Sequence, residues 1–310
     1  MGASGLAGDM KPWQRYRSIV DDPSAFRAAC QRPLPTTVRV NPIKATPSDV
    51  IGLLRREGIT YTSREWNRMT LRLETDRPGR SWAYQHGWIH GQEEISQLPP
   101  VVLAPDTTDR IWAAAAAPGG KATQLAAMVE EGLVVANDAS LGRLPSLRSN
   151  ADRLGLTNLI VTHQDARNYS MNQFPFTKFD RCIVDAPCSG EGTLRKNTSV
   201  LTTWDESALE DLASVQVGIL RRAVSLTKPG GEIVYSTCTF APEENEAVVD
   251  RICEAGNAEV ISYETPLEHS PGITEWQGEE FDPALSRTKR FYPHQNDTGG
   301  FYCAKLRVPT

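Results

Sequence analysis

From Asp109 onward the sequence alternates short apolar runs with longer amphipathic stretches, and this rhythm leaves few folds open. The runs near 110–116, 133–137, 158–162, 180–184, 231–236, 258–262 and 300–307 are strand-like, and the stretches near 120–131, 141–155, 206–227 and 242–255 have helical spacing. Strands that alternate with helices are joined by crossovers, so neighbouring strands run parallel and both faces of their sheet are covered. The expected fold class is therefore α/β, with a mostly parallel sheet of seven strands. Ligands of such open sheets bind outside the carboxyl ends of the strands. The residues just past each apolar run are thus the place to look for function.

The chain ahead of this region reads differently. Residues 11–32 are spaced as a helix with Trp13, Tyr16, Ile19 and Val20 on one face, until Pro33 and Pro35 interrupt it. Residues 36–41 alternate like a strand, and 48–57 predict a helix with Ser48 as N-cap and Gly58 as its stop. Residues 59–75 are strand-like through Ile59, Tyr61, Leu71 and Leu73. Together they predict a small α+β module over 1–80, set off by the Pro78-Gly79 turn from a larger domain over 81–310. A helix is expected over 91–103, and the Pro-, Gly- and charge-rich stretch 264–298 is expected to be a loop over the sheet top.

Composition narrows the partners. No apolar stretch approaches the ~20 residues of a membrane span, and the first ten residues lack a charged-then-apolar leader, so a cytoplasmic location and no membrane partner are expected. The net charge of −5 means that any nucleic-acid binding must come from a local patch. The cysteines (Cys30, Cys182, Cys188, Cys238, Cys253 and Cys303) form no CxxC pair. Their spacing suits neither a zinc site nor a secreted disulfide framework, and no metal is expected.

Two of these cysteines are placed for chemistry. Asp180-Arg181-Cys182-Ile183-Val184 runs into Asp185-Ala186-Pro187-Cys188-Ser189-Gly190-Glu191-Gly192, and Gly231-Glu232-Ile233-Val234 runs into Tyr235-Ser236-Thr237-Cys238-Thr239. Both thiols follow a strand-like run, where a ligand would lie. Earlier strands end on three further signals. Ala115-Ala116-Ala117-Pro118-Gly119-Gly120-Lys121 is a small-residue turn that lets a ligand approach the amides of a helix start. It lacks the first Gly and final Ser/Thr of a phosphate-binding G-x-x-x-x-G-K-[ST] loop, and alone it also reads as a plain turn. Asp138 ends the next strand, where an acid accepts from ribose hydroxyls or caps the following helix. Asp165 follows the third, where it suits the exocyclic amine of an adenine or simply solvates a loop. In series, the three point to a nucleoside-bearing cofactor.

The thiols point to a pyrimidine ring. Amino-methylating enzymes of this sheet type carry Asp/Asn-Pro-Pro-aromatic where residues 185–188 stand, and here the fourth place is a thiol. Methylation of an exocyclic amine needs no covalent intermediate. Carbon 5 of cytosine does, because it is a poor nucleophile until a thiolate adds to carbon 6 and makes it enamine-like. A free thiol is only a few per cent ionised at neutral pH, so such a site must lower the thiol pKa or supply a base. A protonated cytosine N3 held by Asp185 would drain electron density during the attack. The other four cysteines read as small buried hydrophobes.

These segments resemble the NOL/NOP/Sun family of RNA cytosine-5 methyltransferases, most closely its compact archaeal-type tRNA enzymes. Asp185 to Thr193 with Arg195-Lys196-Asn197 is similar to the family's fourth motif, and Tyr235 to Thr239 with Pro242-Glu243-Glu244-Asn245-Glu246 to its sixth. Gln92-Glu93-Glu94 with Ser96 to Pro100, Arg39-Val40-Asn41, Arg290 to His294 and Gly300-Phe301-Tyr302 resemble its lead-in helix, RNA-facing module and closing segment. The resemblance implies a Rossmann-like class I methyltransferase sheet with an N-terminal RNA-facing module. It implies Cys238 as nucleophile, Cys188 as the group that helps release the methylated base, and Asp185 touching the cytosine. It also implies S-adenosyl-L-methionine held by residues 115–121 (Ala115, Ala116, Ala117, Pro118, Gly119, Gly120, Lys121), Asp138, Asp165 and Asp185, with Lys121 bridging cofactor and base. The family usually has an acid at the position of Ala113 and frequently Cys at that of Ala115; the first departure bears on cofactor binding.

RNA contact is expected from Arg39, Lys44, Arg64, Arg68 and Arg72, interleaved with Tyr61 and Trp66, and from Arg195, Lys196, Lys289 and Arg290. The partner expected is RNA, tRNA in preference to ribosomal RNA because the chain carries no added RNA-recognition domain; no obligate protein partner is evident. The competing readings are the same chemistry on ribosomal RNA, a non-catalytic RNA-binding assembly factor, and a cysteine hydrolase. The hydrolase lacks a His placed near a Cys.

Overall fold

The computed structural model describes residues 14–310. Trp13 and the start of the helix expected over 11–32 lie outside the described residues. Within them the chain makes a turn over 16–19 and a helix over Pro23–Cys30. The helix begins at Pro23 because Asp22 accepts from the amides of Ser24 (3.0 Å) and Ala25 (2.9 Å), while proline at the first position has no amide to satisfy.

The amino-terminal sheet is antiparallel, in the order β2-β3-β1-β4. Its strands are β1 (Thr36–Val40), β2 (Tyr61–Ser63), β3 (Thr70–Leu73) and β4 (Ile89–Gly91). The strand-like run 59–75 is therefore a hairpin, turned at 64–69, and the fourth strand comes from beyond the boundary expected at residue 80. The helix Pro47–Arg56 is capped by Thr46 rather than Ser48. Thr46 Oγ1 accepts from the Asp49 amide (3.2 Å), and Asp49 Oδ2 accepts from the Thr46 amide (2.9 Å). Val38, Val40, Val50, Leu54, Leu71 and Ile89 close a small apolar core between sheet and helix.

The helix expected over 91–103 is shorter. Gln92 to Glu94 are irregular, Ile95–Gln97 make one turn, and only Leu98–Leu103 are α-helical, started by Pro99 and Pro100 in the first turn.

The large sheet has nine strands where seven were expected. β5 (Arg110–Ala113), β6 (Leu133–Asn137), β7 (Leu159–Thr162), β8 (Phe179–Asp185) and β9 (Thr227–Thr237) are mutually parallel, in the order β7-β6-β5-β8-β9. β10 (Glu259–Val260), β11 (Ser270–Pro271), β14 (Lys289–Phe291) and β15 (Phe301–Arg307) extend it with antiparallel pairings. β12 (Glu275–Trp276) and β13 (Glu279–Glu280) form a separate hairpin. The stretch 264–298 is thus not bare loop: it contributes β11 and β14 to the sheet edge. Alternate residues of the central strands feed opposite faces. Trp112, Cys182 and Val184 pack under the helix Leu209–Leu226, and Ile111, Ala113 and Ile183 pack against the helices Leu98–Leu103 and Gly120–Met128. Among the described residues no helix is long and apolar enough to cross a membrane.

The chain leaves β5 toward β6 and β7, then returns to β8 on the other side. That reversal opens a crevice at the carboxyl ends of β5 and β8, and it positions the candidate site.

One buried ion pair ties the sheet edge to this end of the fold. Arg290 of β14 donates through Nε to Glu246 Oε1 (2.7 Å), through Nη2 to Oε2, and through Nη1 to the Phe240 carbonyl (2.9 Å). Both side chains are essentially inaccessible to solvent. Removing one partner strands the other charge in a dry interior. Arg290→Ala is therefore expected to lower unfolding free energy by about 3–5 kcal/mol. Arg290→Met with Glu246→Leu, which removes both charges, should cost far less. Urea denaturation checks this, and a single variant within ~1 kcal/mol of wild type contradicts it.

Candidate active site

β8 and β9 are adjacent and parallel, with Asp185 opposite Ser236, so their ends deliver Cys188 and Cys238 to one spot. The two Sγ atoms lie 3.4 Å apart, in half-buried side chains. Asp185 stands beside them at the end of β8. Its Oδ1 accepts from Ser236 Oγ (3.1 Å), and its Oδ2 is 2.7 Å from Lys121 Nζ. Lys121 is the second residue of the helix Gly120–Met128, and its ammonium also faces the Phe301 ring, 5.3 Å from the centroid. The strand ends thus bring Cys188 to Cys238 and, beside them on β8, Asp185 to Lys121.

The two thiols are not equivalent. The hydrogen bond to Cys238, then burial, raise the Cys188 pKa well above the ordinary thiol range, and the negative charge of Glu244 adds to this.

The loop 114–121 is shaped by its backbone. The amide of Ala114 donates to the Ile183 carbonyl (3.0 Å), that of Ala116 to the Asn137 carbonyl (2.8 Å), and that of Ala117 to Asp138 Oδ2 (2.9 Å). The Ala117–Pro118 peptide is cis. Gly119 has φ 109°, and a Cβ there would lie 2.6 Å from Leu147 Cδ1, so only glycine fits. No side chain caps the helix that follows, which leaves its first amides open to a ligand. Ala113 lies buried in β5, and the loop's order does not depend on an acid there.

Residues 113–118, Gly120, Lys121 and Asp185 line a cleft of about 330 Å³, closed on the far side by His90 to Glu93 of the amino-terminal sheet and lead-in. A methyl donor with a nucleoside, a sulfonium and an amino-acid tail fits this cradle: small side chains admit the ligand, open amides meet its polar groups, and the Lys121–Asp185 pair lines one wall. Asp138 braces the loop rather than lining the cleft, its second oxygen accepting from the Ser140 amide (2.8 Å). Asp165 is not brought in. It is bound by Arg167, with Oδ2 2.6 Å from Nη2, and that pairing holds its carboxyl below the usual range.

Most of the arginines expected to meet RNA are internal braces. Arg39 is buried and donates to Gln92 Oε1 (2.9 Å) and Thr123 Oγ1 (3.1 Å). Arg64, Trp66 and Arg72 all donate to the carboxylate of Glu94. Lys44 donates to the carbonyls of His86 and Arg153, Arg195 to those of Arg32, Pro33 and Thr298, Lys289 to His269, and Arg290 to Glu246. Arg68 and Lys196 are exposed. Lys196 joins the cleft to a second groove of about 420 Å³ lined by Pro33 to Thr37 and Arg195.

Two buried carboxylates went unassigned in the sequence. Glu191 accepts from Tyr16 Oη (2.8 Å), Trp204 Nε1, Thr239 Oγ1 (3.1 Å) and the Phe240 amide (3.1 Å). Glu244 accepts from Ser189 and Gln216. A hydroxyl residue directly after each cysteine was the available signal, since Ser189 Oγ and Thr239 Oγ1 lie 2.8 Å apart. Gly192 closes the same loop: a Cβ there would be 2.2 Å from the Gly300 carbonyl.

A family model described as 16S rRNA methyltransferase RsmB/F matches residues 100–307. The tRNA (cytosine(49)-C(5))-methyltransferase of Pyrococcus abyssi is 36% identical over 96% of this chain and 95% of its own length. Ribosomal RNA small subunit methyltransferase F of Shewanella loihica and the mouse 28S rRNA (cytosine-C(5))-methyltransferase are each 36% identical over 91% of this chain, which spans 58% and 36% of them. Among solved structures, a methyltransferase homologue from Pyrococcus horikoshii superimposes with a TM-score of 0.82 at 29% identity, covering 95% of this chain and 93% of the other. NSun6 from the same organism, solved with SFG, has the same fold: TM-score 0.82, 22% identity, 97% and 98% coverage.

Proposed function

We propose, from the premise that this chain belongs to the RsmB/F family of RNA methyltransferases, that it methylates carbon 5 of cytosine in tRNA through a covalent cysteine–cytosine intermediate. The chain is an RNA cytosine-C5 methyltransferase, and its methyl donor is S-adenosyl-L-methionine. The covalent route and the choice of tRNA are the proposal.

The observation that carries the covalent route is the approach of two thiols to 3.4 Å just past the ends of β8 and β9, three residues along the chain from Asp185 of the cleft in the case of Cys188. Cys238 adds as thiolate to carbon 6 of the cytosine, and the electron pair displaced from the 5,6 double bond makes carbon 5 nucleophilic. The bound donor supplies an electrophilic methyl on sulfur. Asp185, held by Lys121 and Ser236, would hold a cytosine protonated at N3, and that proton draws electron density from the ring during attack. After methylation the carbon-5 proton leaves with the help of Cys188, the double bond re-forms, and the bond between carbon 6 and Cys238 breaks with its electrons returning to sulfur. Residues 115–121 hold the donor, with Asp138 shaping their turn.

A stacked, paired cytosine cannot reach these thiols, and flipping it out costs a few kcal/mol, least at loops and junctions. The near-complete mutual coverage with a tRNA enzyme supports tRNA over the ribosomal substrates of the longer relatives. We expect in vitro tRNA transcripts, incubated with labelled S-adenosyl-L-methionine, to acquire 5-methylcytosine at one mapped position, with ribosomal RNA transcripts unlabelled. The opposite pattern would reassign the substrate. No label on either would return the chain to the assembly-factor reading.

A further inference from the structure

The loops that carry the two cysteines are clamped reciprocally. Glu191, on the Cys188 side, accepts from Thr239 and Phe240 on the Cys238 side. Glu244, on the Cys238 side, accepts from the Ser189 amide (2.9 Å), from Ser189 Oγ (2.5 Å) and from Gln216 Nε2 (2.8 Å). Gln216 lies on the helix Leu209–Leu226 and also donates to the Pro187 carbonyl (2.8 Å). The residue before Cys188 and the residue after it are thus tied to one buried carboxylate. Every one of these contacts brings a donor to Glu244; burial raises its pKa, and these hydrogen bonds offset part of that rise.

We propose that Glu244 is a positioning residue for the release half of the reaction, holding the Cys188 thiol against Cys238 so that the carbon-5 proton can leave. The proposal rests on the covalent reading above. In release the carbon-5–hydrogen bond breaks and its electron pair forms the 5,6 double bond. The carbon-6–sulfur pair returns to Cys238, and the proton passes to solvent water with the help of Cys188. Glu244 touches neither the ring nor the methyl donor. It acts on the order of the segment Pro187–Ser189, and its charge adds to the upward shift of the Cys188 thiol. Attack by Cys238 requires less of that segment than release does, so losing Glu244 should separate the two steps.

The test uses the full chain and tRNA transcripts, with covalent protein–RNA complex read on denaturing gels during turnover. We expect Glu244→Ala to slow release at least tenfold more than it slows adduct formation, so that complex accumulates as it does for Cys188→Ala. The double variant Glu244→Ala/Cys188→Ala should accumulate no more complex than Cys188→Ala alone. A purely structural role would slow both steps equally and would add to Cys188→Ala; either result overturns the proposal. If Glu244→Ala fails to fold by circular dichroism, Glu244→Gln carries the same comparison. It keeps the shape, but its amide nitrogen faces a donor. Transcripts containing 5-fluorocytidine separate the layers. No stable adduct with wild type overturns the covalent reading and this proposal with it, whereas a wild-type adduct with unchanged partitioning in the Glu244 variants overturns this proposal alone.

Discussion

Cys238→Ala is expected to lower methyl transfer at least about a thousandfold, some 4 kcal/mol of transition-state stabilisation, and to remove all covalent complex with 5-fluorocytidine RNA. The size follows from what the sulfur does. Without addition at carbon 6, carbon 5 stays part of an aromatic, electron-poor ring, and no arrangement of the donor compensates for that. The fold should be unaffected, because Cys238 is half-buried at the edge of its apolar cluster and a truncation there leaves no closed cavity. Labelled-methyl incorporation and denaturing gels provide the measurement, with thermal unfolding as control. Full turnover by Cys238→Ala would move the nucleophile elsewhere, and Cys188 would be the next sulfur to test.

Cys188→Ala should fail in the opposite way. Attack and methylation proceed, but the methylated cytosine stays on Cys238, so product stops near one methyl per enzyme and covalent complex builds up with ordinary cytidine. The loss in steady-state turnover should fall in the range of a lost acid–base group, about 10²–10⁴. Turnover would also suffer modestly at the first step, since Cys238 loses its 3.4 Å thiol contact with Cys188. Comparing the single-turnover burst with the steady rate separates the two effects. A variant that releases product as fast as wild type would make Cys188 a packing residue.

The candidate site was largely legible in the chain because its chemistry is carried by short motifs at strand ends. Cys188, Cys238, Asp185, the loop 115–121 and Asp138 all follow apolar runs, and strand ends are where an open sheet binds ligands. Legibility failed where a residue's partner is far away in sequence. Asp165 was read from its place after β7, yet Arg167 claims it. Arg39, Arg72, Arg195 and Arg290 were read as RNA contacts because nothing local distinguishes a guanidinium facing solvent from one donating to Gln92, Glu94, Pro33 or Glu246. The small module was cut at residue 80 because β4 is too short to announce itself; it is a strand only because β1 pairs with it. The cap of the helix Pro47–Arg56 moved from Ser48 to Thr46 for a local reason: Pro47 is the first helical residue, and the cap must precede it.

Taken alone, the residue order determined the layered α/β architecture, the strand ends where a ligand would lie, and the candidate reactive groups at them. These are properties of periodicity and of side-chain type, and each is complete within a few neighbouring residues. Only the folded chain decided which groups face the cleft and which are consumed in bracing it. Glu244 meets Ser189 across 55 residues, and Arg290 meets Glu246 across 44. Such pairings depend on strand order and on how helices settle over the sheet, and a buried charge or donor takes whichever partner that packing brings within reach.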